Sequence, residues 1–301
     1  EYFSGYGFNK SHAVGYSILS YQCAWLLNYY PAEWCAAFLN KEPEGRKERA
    51  INVVKNIGYD IQEVGINTSG RSWDISPGGE LIQPLTSIKG LGEKAMDQIL
   101  ENRPFETVEE FLFHEDVSYS KLNKKALDVL VRSGACDSIA DNRFNNCRHL
   151  WLSTVNDRPK NKKRLEENIK DYASEPDFTE EERIENIVSL TGIFPFELVM
   201  DKKVRERIDH NCVPPVAQFE KDLGLCWLIP RKITVRQTKN GRTFWIITAI
   251  DDTCQSTDIK CWNVKAADKV HLNRPYITKL DYDEQWGFST RSVKHNFILV
   301  G

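Results

Sequence analysis

The sequence predicts an α+β fold whose first two-thirds are mostly helical and whose last third is built of strands. Apolar residues recur at helical spacing over residues 13–27 and 122–131. Two runs rich in β-branched and aromatic residues, 227–237 and 242–250, flank Asn240-Gly241, a strong hairpin signal. With 301 residues, of which 41% are hydrophobic, the chain is large enough for two or three domains with real cores.

Charge is unevenly distributed along the chain. Forty Lys+Arg against 43 Asp+Glu give a net charge of −3, which argues against a wholly basic protein that coats nucleic acid. Residues 223–301 hold 12 basic and 7 acidic residues, a net of +5, so the remainder carries 28 against 36, a net of −8. A basic C-terminal module fits a polyanionic partner.

The cysteines and the apolar runs indicate the cellular setting. None of the eight cysteines forms a C-x-x-C pair, which argues against a metal site and predicts reduced thiols in a cytoplasmic protein. No apolar run approaches membrane-spanning length and no signal peptide is visible, so we expect no membrane contact. The chain starts at Glu1 and runs straight into a dense motif, from which we expect a piece of a longer polypeptide.

The first residues, EYFSGYGFNKSH, form a glycine-containing, donor-rich loop ahead of a helix. Ser11 is the predicted N-cap, and Pro31 opens the next helix. Lys10 and His12 beside a helix N-terminus would suit a triphosphate or a DNA phosphate. The alternative is that both residues belong to a solvated cap.

Residues 85–103, LTSIKGLGEKAMDQILENR, hold a tight glycine turn that leads into a helix. Gly90 and Gly92 permit unusual backbone angles and close approach of a bulky partner. The free N–H groups of the new helix can bind a phosphate, and Lys89 and Lys94 flank them. This is the helix-hairpin-helix pattern, which grips duplex DNA by its backbone. The alternative is an ordinary turn between packed helices.

A second unit of the same kind follows at residues 122–139. Its amphipathic helix runs from Leu122 to Val131, and Gly134 stops it. Lys124 and Lys125 lie at its start. Two such units side by side would track the two strands of a duplex. Beyond them, the basic run at 158–164 and the acidic run at 175–182 are typical of solvated helix faces or linkers.

Residues 223–301 supply about five strands, at 227–237, 242–250, 257–262, 276–280 and 297–300, which predicts a five-stranded OB-fold β-barrel. Such a barrel binds single-stranded DNA through stacking aromatics and backbone-tracking cations. The candidates here are Arg236, Lys239, Arg242, Trp245 and Trp262. Because barrel strands bury alternate residues, we expect at least about half of the aromatics in this region to pack the core instead.

Several motifs in order resemble the bacterial family C replicative polymerases, the alpha subunits of DNA polymerase III. GYGFNKSHAVGYSILSYQ followed by YYPAEW resembles their fingers signature. GINTSG resembles their Asp-Ile-Asn-x-Ser segment, with Gly65 in place of the Asp. IKGLGEKA and LNKKALDVLVRSGACDSI resemble their two hairpin units, with Cys136 where Phe is usual. These motifs cover the first 140 residues almost continuously.

The resemblance implies four segments: the end of the fingers domain at 1–75, a tandem helix-hairpin-helix domain at 76–140, a helical connector at 141–222 and the OB-fold at 223–301. It also implies that Asn9, Lys10, Ser11 and His12 lie near the incoming deoxynucleoside triphosphate.

On this reading the chain is the C-terminal part of a DNA-directed DNA polymerase that binds primer–template duplex and single-stranded template. The catalytic carboxylates and their Mg²⁺ would belong to a palm domain outside this sequence, so we expect no catalytic residue and no cofactor here. Asp281-Tyr282-Asp283 has the Asp-x-Asp spacing but is predicted to be a polar turn. The sliding-clamp peptide of the family has no convincing copy, since the segment 149–152 lacks its Gln.

The alternative function is a non-catalytic DNA-binding accessory module. The Holliday-junction-binding protein of branch migration and NAD-dependent ligases also combine helix-hairpin-helix units with an OB-fold. In both, the OB-fold precedes the hairpins, whereas here it follows them. That order, together with GYGFNKSHA, favours the polymerase.

Overall fold

The computed structural model describes residues 10–253 and 255–300. They fall into two compact units. The first takes in residues up to 50 together with 54–177, and the second takes in 178–300 together with 51–53. Each unit has its own buried residues, and each is described separately below.

The first unit is mainly helical. Its helices are α1 (Lys10–Tyr29), α2 (Pro31–Lys41), α3 (Lys47–Ile57), α4 (Glu93–Asn102), α5 (Val108–Phe113), α6 (Lys124–Arg132), α7 (Cys147–Trp151) and α8 (Lys162–Asp171). A π-helix, Leu152–Asn156, continues α7. Short strands β1 (Ile61–Gln62), β2 (Asp74–Ile75) and β3 (Leu81–Ile82) form a small sheet in the order β1-β3-β2.

The helical pattern read from the sequence holds for α6. Its apolar residues are buried because they recur on one face, and Asn123 caps its start by accepting a hydrogen bond from the Ala126 backbone N–H at 3.0 Å. In the same unit, the rings of Phe105 and Phe111 meet edge to face at 5.0 Å. Both side chains are almost wholly buried, so this aromatic pair belongs to the core of the unit.

Helix α1 differs from the others in having no buried residue. Lys10 is the one formally charged side chain among its twenty residues. Its large apolar side chains are exposed: Val14, Tyr16, Ile18, Leu19, Tyr21, Trp25, Leu26 and Tyr29. Ser11 lies inside this helix, so the prediction that it is the N-cap is wrong.

The second unit begins with helices α9 (Glu180–Thr191), α10 (Phe196–Val199) and α11 (Lys202–His210) and continues as strands. The strands are β4 (Leu225–Gln237), β5 (Thr243–Ile250), β6 (Thr257–Cys261), β7 (Tyr276–Lys279), β8 (Asp281–Asp283), β9 (Gly287–Thr290) and β10 (Phe297–Leu299). Helix α12 (Val293–Asn296) lies between the last two.

The seven strands form one sheet in the order β10-β7-β4-β5-β6-β9-β8. All neighbours are antiparallel except β6 and β9, which are parallel. Only Leu280 separates β7 from β8, although they lie near opposite ends of this order. The chain from 276 to 283 therefore pairs with β4 at its start and with β9 at its end, which curls the sheet back on itself.

Alternate residues of β4 enter two different cores. Trp227 and Ile229 pack against the helices of this unit, whereas Cys226 and Leu228 point into the curled sheet. Five of the seven strands match those predicted from the sequence. The other two, β8 and β9, were not predicted, and the prediction that 281–283 is a polar turn is wrong because these residues form β8. Nowhere in the described residues is there a helix with the length and apolar character that crossing a membrane requires.

Candidate nucleic-acid interface

The first hairpin turn joins a short 3-10 helix, Leu85–Ser87, to α4. Ile88 anchors the turn in the core, at 2% exposure. Gly90 has φ +89°, a conformation that favours glycine, whereas Gly92 has φ −78° and ψ 150°, which any residue adopts. The expectation that both glycines serve unusual backbone angles therefore holds for Gly90 and is wrong for Gly92.

Gly92 leaves the N-terminal end of α4 open to solvent. It is the N-cap of α4 and, having no side chain, it offers no cap to the first-turn amides. A Cβ built on Gly92 would meet no atom within 4 Å. Lys89 and Lys94 are exposed on either side. The positive end of the α4 dipole is thus accessible to an anion between two lysines.

The turn of the first hairpin packs on the helix of the second. A Cβ built on Gly90 would lie 3.6 Å from Lys125 Cε and 3.6 Å from Val129 Cγ1 of α6. Lys125 is therefore beside the first turn. Lys124, one residue earlier, donates its Nζ to the Asn156 carbonyl at 3.0 Å, which ties the α6 start to the end of the π-helix. The lysines predicted from the two motifs are thus brought to one region.

The GINTSG segment, residues 65–70, forms hydrogen bonds with residues that follow α4 and α6, the helices of the two hairpins. Ile66 donates its backbone N–H to the Ala135 carbonyl at 2.8 Å, just beyond α6. The Asn67 amide pairs with the backbone of Phe105, donating to its carbonyl at 2.7 Å and accepting from its N–H at 2.9 Å. Segments that are 38 or more residues apart in sequence are thereby held together by one backbone–backbone hydrogen bond and two between the Asn67 side chain and the backbone.

Two further hydrogen bonds add to this joint. Arg103 Nη1 donates to the Ser69 carbonyl at 2.8 Å, next to the end of α4. Gln98, which is buried in α4, accepts from the Ser118 N–H at 2.8 Å in the loop that connects α5 with α6. Both hairpins are consequently fixed to each other through partly buried hydrogen bonds as well as through apolar packing.

An ion-pair cluster links α5 to the start of α8 and to the loop that precedes α7. Glu109 of α5 pairs with Lys162 at 2.9 Å and with Arg143 at 3.1 Å, and Arg143 also pairs with Asp141 at 2.8 Å. The Lys162 hydrogen bond, followed by that of Arg143, lowers the pKa of Glu109. The Arg143 hydrogen bond lowers the pKa of Asp141. Both carboxylates are thus stabilised in their charged form.

In the second unit, an aromatic pair lies on the sheet face opposite the internal core. Phe244 and Trp262 stack at 4.6 Å, with their planes 27° apart. Arg236 is directly opposite Phe244 on β4 and so lies on the same face. Trp245 instead packs against the internal core. Phe244 was not among the residues predicted from the sequence. Alternation along β5 directs Trp245 to the same side as buried Ile247 and Ala249, and Phe244 to the opposite side.

The other predicted cations of this unit lie near the β4–β5 turn. Lys239 and Arg242 are exposed. Arg242, Trp262 and Arg291 line an open cleft of about 880 Å³, together with Thr243, Asn263, Val264, Asp281, Tyr282, Asp283 and Ser289. The cleft is large enough for an aromatic base and its backbone. Its wall includes the cations Arg242 and Arg291 and the Trp262 ring of the stacked pair.

The proposed nucleotide-binding residues lie at the start of α1. Lys10, Ser11 and His12 occupy its first turn and are exposed, while Asn9 lies outside the described residues. The His12 ring contacts Tyr16 at 4.4 Å. This places three of the four predicted residues together on one helix turn.

The carboxylates and the clamp-like segment 149–152 have the following surroundings. Over 10–253 and 255–300, no group of three or more His, Cys, Asp or Glu side chains is arranged to hold a metal ion. Asp283 accepts hydrogen bonds from the Gln285 and Trp286 N–H groups, so it caps a turn. In the segment 149–152, His149 and Leu150 are buried, whereas Trp151 and Leu152 are partly exposed.

Comparison with known proteins agrees with this geometry. A family model described as a helix-hairpin-helix motif matches residues 58–145, the region that holds both turns. The DNA polymerase III subunit alpha of Thermus aquaticus is 37% identical over 147 residues, 47% of this chain and 12% of that protein. About half of this chain is homologous to DNA polymerase III alpha subunits.

Two other alpha subunits give the same result. That of Pseudomonas fluorescens is 36% identical over 144 residues, 46% of this chain and 12% of its own length. That of Buchnera aphidicola subsp. Acyrthosiphon pisum (strain APS) is 33% identical over 151 residues, 48% and 13% respectively. The resemblance to the alpha subunit predicted from the sequence is confirmed, and the chain spans about an eighth of the length of these curated relatives.

Proposed function

We propose that this chain is part of a replicative DNA polymerase of the DNA polymerase III alpha type and that it holds the primer–template duplex. The observation that carries this proposal is the uncapped start of α4 at Gly92, open to solvent and flanked by Lys89 and Lys94. Its amides can bind a phosphate without reading sequence. A replicative polymerase must bind every sequence it copies, so backbone contact suits that task.

The second hairpin extends this surface. Lys125 lies beside the first turn, and Lys124 starts the same helix. The duplex-binding set is therefore Lys89, Gly90, Gly92, Lys94, Lys124 and Lys125. In this set Gly90 has a structural part, because it lets the first turn pack on α6, whereas Gly92 leaves room for the phosphate.

The start of α1 is proposed to contribute to the incoming nucleotide site, through Asn9, Lys10, Ser11 and His12. Lys10 offers three donors and a full charge, and His12 can donate a hydrogen bond. Phosphoryl transfer develops charge on the triphosphate, and such donors stabilise it without covalent chemistry. The Mg²⁺ ions and their carboxylates would come from the palm of the same polymerase.

The exposed apolar surface of α1 supports the proposal that the remaining polymerase domains cover this helix. Eight large apolar side chains in a helix with one formally charged residue form a surface that a partner would bury. Cys23 is exposed on this helix and reports on the contact. Adding the palm-containing part of such a polymerase should slow the modification of Cys23 by a thiol reagent, and an unchanged rate would contradict the contact.

We propose that residues 223–301 form an OB-fold that binds single-stranded template. The five strands of such a barrel would be β4, β5, β6, the continuous 276–283 segment and β9, with β10 as an addition. The parallel β6–β9 pair and the return of 276–283 to β4 support this. Arg236, Lys239, Arg242, Phe244 and Trp262 would contact the strand, and Trp245 would support them from the core.

The segments at 1–75, 76–140, 141–222 and 223–301 are proposed as the fingers end, hairpin domain, connector and OB-fold. A non-catalytic DNA-binding accessory module is the second candidate, because the family model that matches this chain describes a helix-hairpin-helix motif rather than a catalytic domain. Joining this chain to a palm separates the two. Primer extension with Mg²⁺ and deoxynucleotides that depends on this chain supports the polymerase, and duplex binding with no effect on extension supports the accessory module.

Duplex binding itself is tested with the purified chain and a labelled primer–template. Fluorescence anisotropy should give an affinity that is indifferent to sequence and falls steeply with salt. Sequence-dependent binding, or none at low salt, would refute the assignment of the hairpins to duplex DNA.

A further inference from the structure

The basic run at 158–164 is attached to the second hairpin. Arg158 stacks over the Tyr119 ring at 3.5 Å and donates Nη2 to the Tyr119 carbonyl at 3.1 Å and to the Leu122 carbonyl at 2.5 Å. Two residues earlier, the Asn156 carbonyl accepts from Lys124. The run therefore begins against the turn that precedes α6.

Most cations of this run have a structural partner. Burial lowers the pKa of Arg158, whose guanidinium serves the contacts with the hairpin turn. Lys162 pairs with Glu109, and Arg164 pairs with Asp157 and Glu167. Within the described part of the chain, Lys160 and Lys163 have no ion pair with a carboxylate, and both are exposed.

The two remaining lysines share one shallow site. Lys160 and Lys163 line an open cleft of about 410 Å³ with Asn161, and its other lining residues are Asp157, Arg158, Arg164 and Glu167. Asn161 caps α8 by accepting from the Arg164 N–H at 2.9 Å, which fixes the backbone that carries both lysines. The site thus has two uncompensated charges on an ordered segment next to a hairpin turn.

We infer that the segment 156–163 is a third DNA-contacting element, in which Lys160 and Lys163 bind backbone phosphates of the duplex held by the hairpins. The inference rests on the proposed function and extends it. The ligand is a phosphodiester backbone because the segment is joined to the turn of a hairpin that binds such a backbone. Lysine on a flexible stem contacts phosphates as a point charge and reads no bases.

The test uses the full chain with Lys160→Ala and Lys163→Ala combined, measured by anisotropy on a labelled duplex over a series of salt concentrations. Each lost phosphate contact reduces the slope of log affinity against log salt by about 0.9, so the double variant should lose about 1.8. Its affinity at about 0.1 M salt should fall roughly tenfold or more. The thermal midpoint should stay unchanged, because neither side chain has a partner to lose within the described residues.

Two matched variants make the result specific. The combination Lys160→Arg and Lys163→Arg keeps both charges and should restore affinity and slope. The combination Lys202→Ala and Lys203→Ala removes the same charge from α11 and should leave both nearly unchanged. A loss as large in the α11 variant would reduce the effect to net charge and overturn the inference.

A hairpin variant separates this inference from the proposed function. If Lys89→Ala with Lys94→Ala weakens duplex binding while the Lys160 and Lys163 variant matches the wild type, the third element is refuted and the hairpin assignment stands. If both variants bind like the wild type, both proposals fail.

Discussion

Replacing Gly92 with Asp should raise the stability of the chain and at the same time lower its affinity for duplex DNA. The N-cap angles, φ −78° and ψ 150°, suit Asp, and its Cβ would meet no atom within 4 Å. The carboxylate would accept hydrogen bonds from first-turn amides of α4 and would favour the positive end of the helix dipole. These are the groups that the proposal assigns to a phosphate.

The magnitudes follow from the same geometry. Removing a glycine from the unfolded ensemble contributes about 0.4–1 kcal/mol, and a better cap adds a few tenths. The total, about 1 kcal/mol, should raise the thermal midpoint by about 2–4 °C if the first unit unfolds cooperatively. A carboxylate about 4 Å from a phosphate costs about 1 kcal/mol even in water, and the amides are lost as well. Duplex affinity should therefore fall roughly five- to thirtyfold.

The assay pairs thermal melting with duplex anisotropy on the same samples. Gly45→Asp is the matched control, because Gly45 also has open space at its Cβ and an ordinary φ, and it adds the same charge elsewhere in the first unit. A stabilised Gly92→Asp chain that binds duplex as tightly as the wild type would show that the turn only packs helices. A destabilised chain would refute the N-cap geometry.

Three other predictions concern stacking, thiols and pH. Phe244→Ala should cost about 1–3 kcal/mol of single-strand affinity in a filter-binding assay without lowering the thermal midpoint. Trp245→Ala should instead lower the thermal midpoint, because it removes core packing. Equal effects of the two variants on binding would contradict the assigned faces. Burial raises the pKa of the Cys226 thiol to about 11, so it should react with a thiol reagent only on unfolding, while exposed Cys212 reacts at once; early reaction of Cys226 would refute its burial. The pKa of Glu109 is lowered by its two cationic partners, so its contribution to stability exists above its unfolded pKa of about 4.3 and is lost as pH falls through its folded pKa. Glu109→Gln should accordingly lower the melting temperature at pH 7, and this difference should disappear in acid; a constant difference would exclude the ion pairs as its cause.

The local sequence pattern was sufficient to predict a helix or strand whose formation depends mainly on its own residues. The buried face of α6 and the β4–β5 hairpin follow from periodicity and from Asn240-Gly241. Strand β9 escaped prediction because it is short and begins at Gly287, a residue type that is depleted in strands. Its pairing with β6 stabilises it, and a single sequence contains no local signal for that long-range contact.

The lack of a local signal for long-range contacts also explains which candidate site residues were predicted from the sequence. Lysines beside the glycine turn were identified because the motif places them there. Lys160 was assigned to a solvated run, since its position depends on Arg158 contacting a turn 36 to 39 residues earlier. Phe244 differs, because alternation along β5 was available in the sequence and would have placed it outward.

The hydrogen bonds of residues 65–70 bear on the proposal that the two hairpins act as one duplex-binding surface. Phosphates along a duplex lie at fixed spacing, so two phosphate-binding turns act together only if their separation is fixed. Asn67 meets this need by pairing with both backbone groups of Phe105, and the Ile66 amide donates to Ala135 beyond α6. Because the groups in these hydrogen bonds are neutral amides, the joint would contribute rigidity rather than charge to the proposed interface.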